Sequence, residues 1–255
     1  MRINNNIMSM NANRQLGINT NNQSKSLEKL SSGKRINRAA DDAAGLAISE
    51  KMRGQIRGLK QSVRNAQDGI SFLQTAEGAL DEVSNMLKRM KELIVEKSNE
   101  TYSTTDKTNI SAELAALTTK INDIVSTTTF NGKGISDSVK VAIYGNDSTT
   151  TIGSAIASEI TGLTSAATVA DVDSAMDALN NTRAQFGAQQ NALESTVNNL
   201  NTTVENLQAA ESRIRDTNMA DEMANFNTQN ILVNSAVAML SQANSAPQSV
   251  LRLLG

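Results

Sequence analysis

The chain has 255 residues, 24 basic and 26 acidic side chains, and no histidine, cysteine or tryptophan. Without thiols there is no disulfide framework, thiolate nucleophile or cysteine zinc site, and without imidazole no serine–histidine triad or HExxH metalloprotease. Balanced charge argues against a polyanion binder, and six aromatic residues, one proline and 31 alanines argue for long smooth helices over an enzyme core.

Ile3, Ile7, Met10, Leu16, Leu27 and Leu30 fall at helical spacing, and Ser31-Ser32-Gly33 closes that helix. Residues 3–24 carry one charge, Arg14. Asp41 or Asp42 then caps a much longer helix. From Ile48 to Ile94 small or apolar residues recur with a mean step of about 3.5, the coiled-coil period. This helix ends near Ser98-Asn99. A second seam runs through Ile110, Leu114, Leu117, Ile121 and Ile124, with Thr104 and Asp106 supplying polar groups at its start. Phe130-Asn131-Gly132-Lys133-Gly134 is turn chemistry.

Val139, Val141 and Ile143 alternate ahead of Gly145-Asn146-Asp147 and Thr149–Ile152, the pattern of a β-hairpin. Residues 153–178 read as loop plus a short helix. A third seam, Phe186, Leu193, Val197, Leu200, Val204, Leu207 and Ile214, is able to pack antiparallel to the long helix. Met223, Phe226, Ile231, Val233, Val237 and Leu240 then repeat the pattern of the N-terminus, and residues 223–251 carry no charge.

Helices usually face water with Lys and Glu, but here the polar residues are 29 Asn, 26 Ser and 23 Thr. The two charge-poor ends are expected to be disordered alone and to fold by docking on other subunits, with pairing to each other within the monomer as the alternative. No apolar run approaches the ~20 residues a bilayer requires, so no membrane insertion is expected. The opening Met1–Asn6 lacks the apolar block of a signal peptide. Residues 25–64 hold ten basic side chains against four acidic ones, yet no aromatic that would stack on bases, so nucleic acid is not expected as a partner. Asp41-Asp42, Asp221-Glu222 and Asp171/Asp173 lack the sugar-holding cleft a carboxylate enzyme needs, and Gly132/Gly134 lacks the Gly-Lys-Ser/Thr of a phosphate loop. No enzymatic role, cofactor or metal is expected.

Several runs resemble a known family. Ile3-Asn4-Asn5-Asn6-Ile7, Leu30-Ser31-Ser32-Gly33-Lys34-Arg35-Ile36-Asn37 and Ala40-Asp41-Asp42-Ala43-Ala44-Gly45-Leu46 are similar to the N-terminal region of bacterial flagellin. So are Asn65-Ala66-Gln67-Asp68-Gly69-Ile70 and Thr129-Phe130-Asn131-Gly132. Leu193-Glu194-Ser195-Thr196-Val197 and Pro247-Gln248 through Val250-Leu251 resemble its C-terminal region. The likeness covers roughly residues 1–135 and 180–255, with Ala192 standing where flagellins commonly carry arginine.

The resemblance implies a short flagellin without a large variable outer domain. The expected fold is mainly α: a long coiled-coil-like bundle of the N- and C-terminal regions with a small β-hairpin in the middle. Residues 1–42 plus 216–255 would form an inner terminal-helix domain, disordered in the monomer and a paired coiled coil in the filament. Residues 43–215 would form a helical rod domain with its hairpin around 130–152. The expected subunit interface is Ile3, Ile7, Met10, Leu16, Leu27, Leu30, Met223, Phe226, Ile231, Val233, Val237 and Leu240.

By the same resemblance the chain polymerises with itself into the flagellar filament for swimming. It leaves the cell through flagellar type III export without a cleaved signal peptide and meets the cap and hook-junction proteins. An export chaperone holds its C-terminal region. Arg89, Leu93 and Glu113 match positions recognised by the host Toll-like receptor that senses flagellin, on a surface also used between subunits. The competing readings are a hook–filament junction protein and a secreted helical adhesin or binding module.

Overall fold

The computed structural model describes residues 6–144, 148–153, 158–164 and 166–254. Ile3 and the expected Gly145-Asn146-Asp147 turn lie outside the described residues. The elements are α1 (Ile7–Ser32), α2 (Ala43–Lys97), α3 (Thr104–Thr127), β1 (Thr129–Phe130), β2 (Lys133–Gly134), β3 (Val139–Tyr144), β4 (Ser148–Ile152), α4 (Ser158–Thr161), α5 (Val169–Arg215) and α6 (Met219–Leu254). They divide into a unit of residues 1–54 with 207–255 and a unit of residues 55–206.

The 55–206 unit is a bundle with an apolar seam. On α2 the expected repeat is exposed at its start, Ile48, and holds within this unit. Leu73, Leu80, Leu87 and Met90 are fully buried, and Leu93, beside the repeat position Ile94, is buried with them. They meet Leu114 and Ile121 of α3 and Val172, Leu179, Phe186, Leu193 and Leu200 of α5 in one cluster. The ion pairs Lys91–Asp173 (2.6 Å) and Arg183–Asp81 (3.3 Å) show α5 running antiparallel to α2. Such pairs are exposed and contribute at most about 1 kcal/mol each, so buried apolar area holds the bundle.

The expected hairpin is present, with β3 and β4 antiparallel from Val139↔Ile152 to Tyr144↔Ser148. Its Val141, Ile143 and Ile152 point into the bundle core. The Phe130–Gly134 turn is itself a small hairpin, β1 against β2. Asn131 and Gly132 both take positive φ (49° and 77°), as a two-residue hairpin loop of type I′ demands. Gln189 of α5 holds the far end of β4 by accepting the Gly153 N–H at 2.9 Å. A Cβ on Gly153, whose φ is 83°, would lie 2.7 Å from the Asp137 carbonyl, so the position requires glycine.

Helix starts differ from the sequence reading in two places. The cap of α3 is Ser103, in a reciprocal box with Asp106, and Thr104 is the first helical residue. In residues 153–178, expected as loop plus a short helix, α4 is a short helix and α5 already begins at Val169. Thr168 accepts the Asp171 N–H through its hydroxyl, and the Asp171 carboxylate accepts the Thr168 N–H at 2.8 Å. That cap lengthens α5 beyond the seam expected from Phe186, over turns whose small residues hide the period.

In the other unit α1 ends at Gly33, whose φ of 68° lets its N–H reach the Lys29 carbonyl at 2.8 Å. Asp42 caps α2 through the Gly45 N–H. A Cβ on Gly45 would come within 2.9 Å of Ile36 Cδ1, and Ile36 is fully buried. The segments after α1 and after α5 clasp each other. The Arg35 N–H donates to the Arg215 carbonyl (2.7 Å), and the Thr217 N–H donates to the Gly33 carbonyl (3.1 Å). The Arg215 side chain, largely buried, donates to Glu50 Oε1 at 2.5 Å. That bond, reinforced by Arg53, holds the Glu50 carboxyl below its ordinary range.

Candidate subunit interface

Helices α1 and α6 pair antiparallel. Asn6 Nδ2 donates to the Ala243 carbonyl at 2.7 Å near one end, and Lys29 lies 3.9 Å from Glu222 near the other. The less exposed residues of α1 between 9 and 26 are Ser9, Ala12, Leu16, Asn19, Gln23 and Ser26, in alternating steps of three and four. Those of α6 between 222 and 246 are Glu222, Phe226, Gln229, Val233, Ala236, Leu240, Ala243 and Ala246. The seam is therefore coiled-coil in period and mixed in content: Ser9, Asn19, Gln23, Ser26, Glu222 and Gln229 share it with Leu16, Phe226, Val233, Leu240 and four alanines. Asn19 and Ser26 are buried in it, and Gln229 Oε1 is buried with no donor among the described residues. A polar seam position fixes register at a cost in stability.

Large apolar side chains lie outside this seam. Ile7 is 70% exposed, Met10 69%, Ile231 66% and Val237 51%, with Leu27 and Met223 also exposed. Of the residues expected at a subunit interface, these six face away from the pair. Leu16, Leu30, Phe226, Val233 and Leu240 are half-buried, four of them on the seam and Leu30 at the end of α1. Sequence reasoning missed Met8, Ile18, Leu232 and Met239, all exposed. Met8, Leu232 and Met239 line a groove of about 450 Å³ along the pair, floored by Ala12, Asn19 and Ala236 and lined by no charged side chain. A spacing count cannot separate the two faces of a helix that carries apolar residues on both; that needs the partner helix in place.

In the 55–206 unit Arg89 bridges Glu113 (3.0 Å) and Glu92 (3.3 Å), and the Glu113 carboxylate holds the guanidinium pKa above its ordinary value. Both Arg89 and Glu113 are exposed. Leu93 is not: at 1% exposure it belongs to the bundle core beneath them, beside Ile94 of the α2 repeat. It backs that surface and does not form it.

The adjacent carboxylates serve local structure. Asp41 accepts the Asn37 and Arg38 N–H groups, which lowers its pKa. Asp42 caps α2, Asp221 accepts from Asn218 and Glu222 faces Lys29. No group of three or more potential metal ligands comes together among the described residues. No helix among them is long and apolar enough to cross a membrane.

The N-terminal helical region of bacterial flagellin matches residues 3–140, and its C-terminal helical region matches residues 169–254. The chain belongs to the bacterial flagellin family. It is 50% identical to the flagellin of Halalkalibacterium halodurans and 44% identical to that of Bacillus subtilis, with all of this chain and all of each relative covered. It is 43% identical, again over the whole of both chains, to the flagellar filament 33 kDa core protein of Treponema phagedenis. Among solved structures, that of Bacillus cereus flagellin is similar at 30% identity and a TM-score of 0.49, covering 58% of this chain and 94% of that one. This flagellin is a short form and a structural subunit of the flagellar filament. Only residues 141–168 separate its two matched regions, which leaves no room for a large outer domain.

Proposed function

We propose that α1 and α6 are the assembly element of this flagellin, an inner domain of residues 1–42 plus 216–255 that is disordered in the monomer and becomes a paired coiled coil in the filament. The observation that carries this reading is that apolar residues occupy both faces of the pair: Leu16, Phe226, Val233 and Leu240 share the seam with polar side chains, while Ile7, Met10, Ile231 and Val237 stand outside it. A helix pair with large apolar side chains on its outer faces gains when other copies cover them. Contacts between non-equivalent faces, repeated, generate an open helix and not a closed dimer. The expected interface residues thus divide into those that make the pair and those that present it to neighbours.

The same reading covers the finer partners. The uncharged C-terminal region suits a chaperone that shields it before export through the flagellar type III channel, and the filament end meets the cap and hook-junction proteins outside the cell. Arg89 and Glu113, exposed over Leu93, are the surface offered to the host Toll-like receptor and to a neighbouring subunit. The test is truncation. A chain lacking residues 223–255 should fail to elongate sheared filament seeds while its 55–206 bundle still melts cooperatively. Seeds that grow with the truncated chain would remove α6 from the assembly element.

A further inference from the structure

We infer that Asn6 is the register lock of the terminal helix pair, and that it works because Pro247 leaves a carbonyl of α6 open. Pro247 falls inside α6 and has no N–H, so the Ala243 carbonyl four residues earlier loses its intrahelical donor. A carbonyl in that state, on a buried residue, must find another donor or lose the free energy of a hydrogen bond. Asn6 supplies it, its Nδ2 donating to the Ala243 oxygen at 2.7 Å.

The same side chain has a second task. Asn6 is the N-cap of α1, and its Oδ1 accepts the Ser9 N–H at 3.1 Å. One amide therefore satisfies an orphan donor at the start of α1 and an orphan acceptor inside α6. Only a carboxamide of this length offers an acceptor and a donor from one planar group; aspartate keeps the cap and loses the donor. One turn away the Ser9 hydroxyl donates to Asn244 Oδ1 at 2.7 Å, which continues the lock along the pair.

Asn6 adds to the register that the seam itself favours, where Leu16, Phe226, Val233 and Leu240 lie among Ser, Ala, Asn and Gln residues. A slip of α1 by one turn along α6 would carry Asn6 about 5.4 Å from the open carbonyl and strand both groups. The outer apolar faces would shift with it. Asn6 thereby acts as a positioning residue for assembly, a role that rests on the terminal pair being the assembly element.

The experiment pairs Asn6→Asp with Pro247→Ala, which restores an N–H to the open carbonyl. The readouts are the critical concentration for elongating sheared filament seeds and the rate of disulfide trapping in a Ser9→Cys/Asn244→Cys chain, which otherwise has no thiol. Asn6→Asp should raise the critical concentration about tenfold and slow trapping about fivefold, because a carboxylate then faces a carbonyl oxygen. Pro247→Ala alone should change both less than twofold, and Asn6→Asp with Pro247→Ala should return to within about twofold of Pro247→Ala alone. Equal behaviour of Asn6→Asp and the parent chain in trapping, or a Pro247→Ala effect of the same factor with and without Asn6→Asp, overturns the lock. Should the parent chain itself fail to add to seeds, the assembly reading falls, and trapping still decides the lock.

Discussion

The α2–α3–α5 bundle and the α1–α6 pair use one repeat, largely apolar in the bundle and mixed with polar residues in the pair. In the bundle the repeat carries Leu73, Leu80, Leu87 and Met90 into a core shared with Leu114, Phe186 and Leu193. In the terminal pair it carries Asn19, Gln23, Ser26 and Gln229 into the seam beside Leu16, Phe226, Val233 and Leu240, and leaves Ile7, Met10, Ile231 and Val237 in contact with water. A seam period of three and four states only that two helices meet. The polarity of the seam bears on how much the meeting stabilises, because each buried amide adds a desolvation cost that a leucine would not. On the proposed reading, bundle folding is a property of the chain and completion of the terminal pair a property of the polymer.

The largest break in that comparison comes from Val237→Asp. In the filament it would bury an unpaired carboxylate at a cost of several kcal/mol, so the critical concentration should rise by about a hundredfold or more. The urea melt of the bundle should stay unchanged. A filament that forms normally with this substitution would show that this face is not covered.

Leu87→Ala is the mirror experiment. It should cost the bundle about 2–5 kcal/mol in denaturant unfolding, since the side chain is fully buried. A loss under about 1 kcal/mol would mean that the bundle core relaxes as easily as the terminal seam.

Asn19→Leu should move the terminal pair toward the bundle. Replacing one buried amide on the seam should stabilise the pair in the monomer by about 1 kcal/mol, with amide exchange in α1 slowed roughly fivefold. Unchanged or faster exchange would show that the polar seam is not what weakens the pair.

The smallest effect concerns the clasp beside α2. The Glu50 carboxyl is held low in the folded chain, first by the Arg215 hydrogen bond and then by Arg53. Its contribution is therefore present above the ordinary value of 4.5 and lost as pH falls through the lowered folded value. Protease cleavage in the segment 33–42 should rise on acidification through that range, and Glu50→Gln should show a flatter acid limb. Identical acid limbs in both chains would remove Glu50 from the clasp.

Much of the bundle was legible because burial and spacing coincide there. A residue such as Leu80 is apolar, periodic and inside. The hairpin was legible from Val139, Val141 and Ile143 by the same logic at period two. The start of α5 at Val169 was not, because its cap, Thr168 with Asp171, lies in a run of small polar residues that resembles a loop until the helix behind it is seen. Leu93 shows the reverse problem. A resemblance placed it on a recognition surface, and the packing of α2 puts it in the core beside Ile94, the position the repeat marks.

By itself, the sequence determined the long helices, their coiled-coil period, the charge-free ends and the absence of thiol and imidazole chemistry, since these follow from side-chain type and spacing along one chain. It also carried the family motifs that place the chain among the flagellins. Only the tertiary structure decided which face of α1 and α6 each apolar residue occupies, that Asn6 meets the carbonyl Pro247 leaves open, and that Leu93 is covered. Those are distances between residues up to 237 positions apart. No local pattern encodes them, because a helix shows its own period in the sequence but not the azimuth at which its partner arrives.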